Sequence, residues 1–387
     1  MTEKAEIFYK DIGDYLSREE KLRIVSKAES ILKLLPEMTR LNPNEHGDWI
    51  SQRNDAFSNF IPIEPENKFD SKTQSFFTVQ SLGTATNRDS WVYNFSENEL
   101  QKNIKKTINH YNDQLALYTT GKIKEPERDS TKGNWTRDWL NQIKRKIKFS
   151  ENKTEYRLSL YRPFTKSHTY FDDNLNQERY QLPKLFPIAD IENIVICVHG
   201  LGGKKDFSCI ITDCIPDLNS LEAGSQCFPL YWYEKKEKVQ GGLFEKVEGE
   251  YNRRDGVSDF ILDQAQTRYG PRVAKEDIFY YVYGILHSPD YRKTFANDLK
   301  KTLPRLPLVE KTADFWAFSE AGRKLAALHL NYETLPSCPD VTVSGAESGF
   351  YLVEQMRFAA YKHDGKIKRD GTVKRDGKNK DTIIYNS

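Results

Sequence analysis

Apolar residues recur along this chain at two spacings, and the spacing assigns its elements. Leu100, Ile104, Ile108, Tyr111 and Leu115 share one face at the helical period and predict a helix from about Ser96 to Leu117. Leu22, Val25, Ala28, Ile31, Leu32 and Leu35 do the same from about Ser17 to Leu35. There Ser17 and Glu20 spell a capping box, and Pro36 stops the helix. Further helices are expected over Gly256–Arg268, Ala274–His287, Tyr291–Lys301 and Lys311–Leu330, with Pro304 and Pro307 between the last two. Short apolar runs predict strands at Ala5–Lys10, Phe76–Gln80, Ser90–Phe95, Glu155–Tyr161, Asn193–Val198 and Phe228–Tyr233. The second and third of these are joined by the turn SLGTATNRD. The fold class is therefore α/β, in the mixed α+β sense.

Between these elements, Thr119–Gly133 (TTGKIKEPERDSTKG) is polar, charged and rich in turn formers, and marks a domain boundary near residue 125. The length of 387 residues has room for two domains with separate cores. Near the end, Lys362–Asp381 carries the small repeat KRDGTVKRDG, whose Asp-Gly pairs read as turns in a solvated hairpin or a disordered loop, with a DNA-contacting loop as the sharper alternative.

Composition narrows the class. The chain is 38% hydrophobic and 29% charged, and no run of about 20 apolar residues occurs that would span a bilayer. Its first residues mix acids and bases without the apolar core of a signal peptide, so a cytoplasmic location with no membrane partner is expected. Five cysteines, an odd number, fit a reducing compartment better than a disulfide framework. A net charge of only +2 means that any polyanion site must come from local clustering. Aromatic residues make up 12%, and most are expected to be packing.

Several segments imitate catalytic motifs. Val195–Gly203 (VICVHGLGG) looks like the oxyanion-hole strand of α/β-hydrolases, but the nearest nucleophile elbow, Ala317–Ala321, has alanine where both glycines belong and lies within a helix. The bland reading is a buried strand ending in a tight glycine turn. Cys197, His199, Cys209, Cys214 and Cys227 are too irregularly spaced for a structural zinc site. Pro289-Asp290 with Asp298-Leu299-Lys300 falls in a helical stretch where a nuclease needs strands, and His168, His287 and His329 have no partner visible from spacing. There is no glycine-rich phosphate loop ending in Gly-Lys-Ser/Thr, and no Asn-Pro-Pro-Tyr-type tetrapeptide of the kind that holds an exocyclic base nitrogen. No catalytic, cofactor-binding or metal-binding residue is assigned.

Longer blocks carry a resemblance. IFYKDIGDYLSREEKL (Ile7–Leu22), NPNEHGDWISQRNDAFSNFIPI (Asn42–Ile63) and SLGTATNRDSWVYNF (Ser81–Phe95) resemble the type ISP single-polypeptide restriction–modification enzymes. YRPF (Tyr161–Phe164), QCFPLYWYE (Gln226–Glu234), Lys275–Leu308 and the closing DTIIYNS continue the likeness in the same order. The resemblance implies that residues 1–125 are the trailing strands and helices of an N6-adenine DNA methyltransferase domain without its catalytic motifs. Residues 126–387 would be a mixed α/β target-recognition (specificity) domain that stops short at its C-terminus. It implies double-stranded DNA as partner, together with the nuclease, helicase and methyltransferase portions that lie outside this chain. S-adenosylmethionine, ATP and Mg would serve the full-length enzyme, not this chain. Sequence-specific target recognition is the implied function; half of a split adenine methyltransferase is the alternative.

Within that frame, eight residues are candidates for DNA contact. Asn87 and Arg88 lie in the turn between two expected strands, and Lys204 and Lys205 follow Gly202-Gly203, where backbone can approach a phosphate closely. Arg253 and Arg254 precede a helix start, and Arg53 and Arg162 are further cations in resembling blocks. Each is read equally well as part of a solvated surface loop, and Arg88 also as an internal salt bridge.

Overall fold

A strand buried on both faces needs a continuous apolar run, and Val195–Val198 and Cys209–Thr212 are such runs, with every residue buried. They form the middle of a computed structural model that describes residues 5–236, 250–336, 338–340, 356–360 and 378–385. The chain divides into two units, residues 1–334 and 335–387.

The first unit opens with β1 (Ile7–Tyr9) paired antiparallel to β2 (Thr39–Leu41). Between them, the single helix expected over 17–35 is two: α1 (Arg18–Lys27), with the Ser17/Glu20 capping box in place, and α2 (Ile31–Leu34). Glu29 at φ +57° breaks the ladder, and the Ser30 hydroxyl accepts from Lys33 N to start a second helix. A serine that can cap competes with the helix continuing through it. Leu22, Val25, Ile31 and Leu32, the expected buried face, are exposed.

After α3 (Asp55–Ser58) and β3 (Ile61–Pro62), the run 76–80 is buried but is not a named strand. Phe77 makes only an isolated bridge to Val257, and Thr78 N donates to the Gly256 carbonyl at 2.7 Å. The ladder begins one step later, at β4 (Ser81–Leu82). The run expected as a strand over 90–95 starts instead as α4 (Asp89–Val92), because the Arg88 carbonyl accepts from both Trp91 N and Val92 N; only β5 (Tyr93–Asn94) extends.

The helix α5 (Glu97–Thr119) buries the expected face, Leu100, Ile104, Ile108, Tyr111 and Leu115. Against that face packs α6 (Arg137–Lys144), through Trp139 and Ile143. Tyr111 stacks on Phe149 with ring centroids 3.5 Å apart. The polar stretch 119–133, expected as a domain boundary, thus connects two helices of one hydrophobic cluster. This cluster continues to Tyr170 on β7 (Thr165–Tyr170), which pairs with β6 (Tyr156–Arg162).

Two sheets follow. One has the order β10-β6-β7-β5, with β10 (Ile215–Pro216) parallel to β6. The other has the order β4-β11-β8-β9, built on β8 (Val195–Val198), β9 (Cys209–Thr212) and β11 (Gln226–Pro229). The strand expected over 228–233 divides at Leu230, and its second part is β12 (Tyr231–Lys235), in a hairpin with β13 (Tyr251–Asp255). Gly256 makes this junction possible, since a Cβ there would lie 1.9 Å from the Pro229 carbonyl oxygen. One face of the second sheet meets Phe186, Leu182 and Leu185 of the segment containing α7 (Leu182–Leu185). The other faces α8 (Asp259–Tyr269), α9 (Lys275–Leu286) and α12 (Thr312–Leu330).

Between the last two, the helix expected over 291–301 breaks at Phe295 (φ −109°, ψ 23°) into α10 (Pro289–Thr294) and α11 (Ala296–Leu299). Pro289-Asp290 is a helix start capped by Ser288. The strand β14 (Arg305–Leu306) then pairs with β3 and ties residues near 300 to residues near 60. In the second unit β15 (Met356–Ala360) and β16 (Lys378–Tyr385) pair antiparallel; the KRDGTVKRDG repeat lies outside the described residues. Among the described residues no helix is long and apolar enough to cross a membrane.

Candidate nucleic-acid interface

The eight candidate residues fall in three places. The first begins where β8 ends. His199 is buried, with Nε2 3.2 Å from the Leu299 carbonyl oxygen, and Gly200 has no room for a side chain because a Cβ would meet the Ala223 oxygen at 1.9 Å. Gly202 adopts φ +82°, turning the chain so that Lys204 and Lys205 stand exposed. This is the buried strand and tight glycine turn read from the sequence.

Two further lysines lie beside that turn. Lys300 Nζ is 3.1 Å from Asp206, which directly follows Lys205, and Lys301 Nζ is 2.9 Å from Asp48. Arg53 holds the same Asp48 carboxylate through Nε at 2.9 Å and Nη2 at 3.3 Å. The two cations hold Asp48 well below the usual carboxylate range. The neighbouring Asp298 carboxylate accepts from Asn54 N at 3.1 Å and fixes the loop that carries Arg53. Arg53, Lys204, Lys205, Lys300 and Lys301 are therefore linked through the end of α11, although they come from three distant stretches. In this group the ammonium groups of Lys204 and Lys205 have no ion-pair partner among the described residues. The sequence offers Lys300 only within the discounted nuclease pattern and Lys301 not at all; the one further signal is their adjacency after a helix.

The second place contains Asn87, Arg88 and Arg162. Arg88 is 1% exposed, which corrects the expectation that it offers a donor-rich loop to DNA. Its Nε donates to the Asn134 carbonyl at 3.0 Å, Nη1 to the Leu175 carbonyl at 3.4 Å and Nη2 to the Thr136 hydroxyl at 2.5 Å. The guanidinium lies 4.3 Å from the centre of the Trp139 ring, and burial pushes its pKa down to about 10. An arginine has five N–H donors, and with Nη1 also donating to the Thr86 carbonyl at 3.5 Å four of them are spent inside the protein. Asn87 (φ +51°) is exposed, while its carbonyl accepts from Asn134 Nδ2 at 2.7 Å. Arg162 is half-buried, stacks on Tyr161 at 3.9 Å, and donates to Asp217 at 2.8 Å with Asp89 at 3.7 Å. Asp217 is itself buried, and desolvation raises its pKa to about 6.

The third place is the β12–β13 hairpin. Arg253 and Arg254 are consecutive residues of a strand, not of a loop before a helix, so they point to opposite faces. Arg253 lies 4.3 Å from the centre of the Tyr231 ring, and Arg254 pairs with Glu234 at 3.1 Å. A single ligand surface can use only one of them.

The other sequence suspects have structural roles. Ser319 lies inside α12 and donates to the Asp277 carbonyl at 2.8 Å. Cys197 and Cys227 face each other across the β8–β11 pair, 3.8 Å apart and buried. His287 and His329, isolated in sequence, pack together at 5.5 Å between ring centroids, and Tyr283 Oη lies 2.5 Å from His329 Nδ1. Among the described residues no three His, Cys, Asp or Glu side chains are grouped where they could together hold a metal ion.

Residues 75–387 match the sequence model of the Type ISP C-terminal specificity domain. Among solved structures, the chain is similar to the ATP-dependent Type ISP restriction-modification enzyme LlaBIII bound to DNA, at 31% identity over 99% of this chain, with a TM-score of 0.76. It is also similar to a nuclease-deletion mutant of the Type ISP enzyme LlaGI in complex with a DNA substrate mimic, at 32% identity over 100% of this chain and a TM-score of 0.73. A DrdV–DNA complex gives 29% identity over 93% of this chain and a TM-score of 0.69. The chain spans 23%, 32% and 33% of the length of those three proteins, respectively. No curated protein matches it. A family match across residues 75–387, joined to similarity at over 30% identity to two Type ISP enzymes, places this chain in the Type ISP C-terminal specificity domain family.

Proposed function

We propose that this chain reads a double-stranded DNA target for a Type ISP restriction–modification enzyme, supplying binding and register while other portions of the enzyme supply the chemistry. The observation that carries this reading is the basic surface of Lys204, Lys205, Lys300, Lys301 and Arg53, in which two exposed lysines on a glycine turn have ammonium groups that make no close ion pair among the described residues. Such a surface meets phosphates, and phosphate contacts set affinity and register without reading sequence. Base reading would fall to side chains that keep free donor capacity at the surface, of which Asn87, Arg162 and Arg253 are the candidates. The DNA-bound state of the three similar structures supports the same reading. S-adenosylmethionine, ATP and Mg would be held by the methyltransferase and motor portions of such an enzyme, and its place of work would be the cytoplasm.

Duplex binding should weaken steeply with salt. The double variant Lys204→Ala/Lys205→Ala should make the slope of log affinity against log salt shallower by about 1 per lysine, for cognate and random duplexes alike. Fluorescence anisotropy across a salt series measures this. A cooperatively folded chain without duplex affinity at low salt would end the proposal.

A further inference from the structure

The glycine turn that presents Lys204 and Lys205 already holds an anion. The backbone N–H of Lys205 donates to the Glu222 carboxylate at 2.8 Å, and the N–H groups of Lys205 and Lys204 together keep that carboxyl below its ordinary range. Main-chain N–H groups in a tight turn can hold an anion, and Gly202 at φ +82° turns the chain just before the two lysines. At Gly203 a Cβ would lie 3.2 Å from Glu222 Oε2, so a side chain there would crowd the bound carboxylate.

We propose that the main-chain donors of this turn are a DNA-phosphate site and that Glu222 is their internal competitor, occupying them in the free protein and giving way to a backbone phosphate of the duplex. The inference rests on the DNA-binding reading above and adds to it a binding site made of main-chain donors and a residue that sets its strength. A phosphodiester presents one negative charge over two non-bridging oxygens, as a carboxylate does, so it can take the same two donors. It also meets two ammonium groups, those of Lys204 and Lys205, that make no close ion pair among the described residues, although the Lys205 charge already favours the Glu222 carboxylate. The exchange leaves the loop standing. The Glu222 carbonyl, not its side chain, accepts from Gly200 N at 3.0 Å, and Lys300 holds Asp206 on the other side of the turn. Glu222 is partly exposed, so its side chain can swing out without opening the core.

The test is duplex affinity of the whole chain and its Glu222→Gln variant over a salt series, with the amide signals of Lys204 and Lys205 followed by NMR during titration of the wild-type chain. The glutamine keeps an oxygen for the two amides and so preserves the loop, but removes the charge that opposes a phosphate a few ångströms away. The variant is expected to bind about five-fold more tightly, and its salt slope should steepen by up to about 1. The two wild-type amide signals should move as duplex is added. If the wild-type chain binds duplex but Glu222→Gln binds no more tightly and the two amides stay in place, the competitor role is overturned and the DNA-binding reading survives. If the folded wild-type chain binds no duplex at all, both fall together.

Discussion

Gly322→Ala should destabilise the fold by about 3 kcal/mol or more, with the opposite sign to the usual effect of this substitution in a helix. Glycine inside a helix ordinarily costs about 1 kcal/mol relative to alanine, so the exchange should help. Here α9 and α12 cross with their backbones in contact. A Cβ on Gly322 would lie 2.0 Å from the Tyr280 carbonyl oxygen and 2.8 Å from Gly284 N. On the facing helix, a Cβ on Gly284 would lie 2.3 Å from the Phe318 oxygen. The obstructing atoms are backbone, with no side chain to rotate away, so the helices must separate. That separation would expose Phe279, Tyr281 and Phe315, which are buried in the main core. Ala321→Gly, on the exposed side of the same helix, is the control and should cost only about 1 kcal/mol. Urea unfolding of both variants separates the two effects, and a Gly322→Ala chain as stable as the wild type would show that the helices do not touch in this way.

Arg88→Ala should cost about 4 kcal/mol, and Arg88→Lys should recover less than half of it. The guanidinium joins the turn 86–88, the segment 134–136 and the Leu175 carbonyl, and lies on Trp139. Removing it leaves buried acceptors without donors, at about 1–3 kcal/mol for each one that water does not reach, and leaves a cavity beside an indole. A lysine retains the charge but lacks the planar fork that reaches several carbonyls at once. The same variants decide between the two roles open to Arg88 in the sequence. A buried guanidinium releases no counterion on DNA binding, so variants under conditions where they remain folded should show an unchanged salt slope. A full-stability Arg88→Ala chain with a shallower salt slope would place this residue at the DNA after all.

Arg88 also shows why local sequence misleads about sites. An arginine in a polar turn between apolar runs is the pattern of an exposed loop, and nothing within that turn announces Asn134, Thr136 or Trp139, some fifty residues away. Lys300 and Lys301 fail in the other direction. In sequence they are a dibasic pair after a helix, and only the ion pairs to Asp206 and Asp48 bring them beside Lys204, Lys205 and Arg53. The helix expected over 17–35 misses because periodicity ignores Ser30, whose hydroxyl caps a new helix as readily as it sits in an old one. The strand expected over 76–80 misses because an apolar run states burial and not pairing.

What the sequence determined by itself was whatever depends on near neighbours and on long ordered blocks. The face of α5, the Ser17 cap, the buried run of β8 and its glycine turn follow from spacing and local backbone chemistry. Membership of the Type ISP family follows from blocks too long to recur by chance, and the family match agrees with it. Only the tertiary structure decided which cations are spent and which are free. A guanidinium's partners are set by where the chain returns in space, and burial, not residue type, determines whether a charge meets a carbonyl, a carboxylate or a phosphate. Glu222 belongs to that second class: its carboxylate reaches the amide of Lys205 only because the chain folds back between β10 and β11 to pass under the turn.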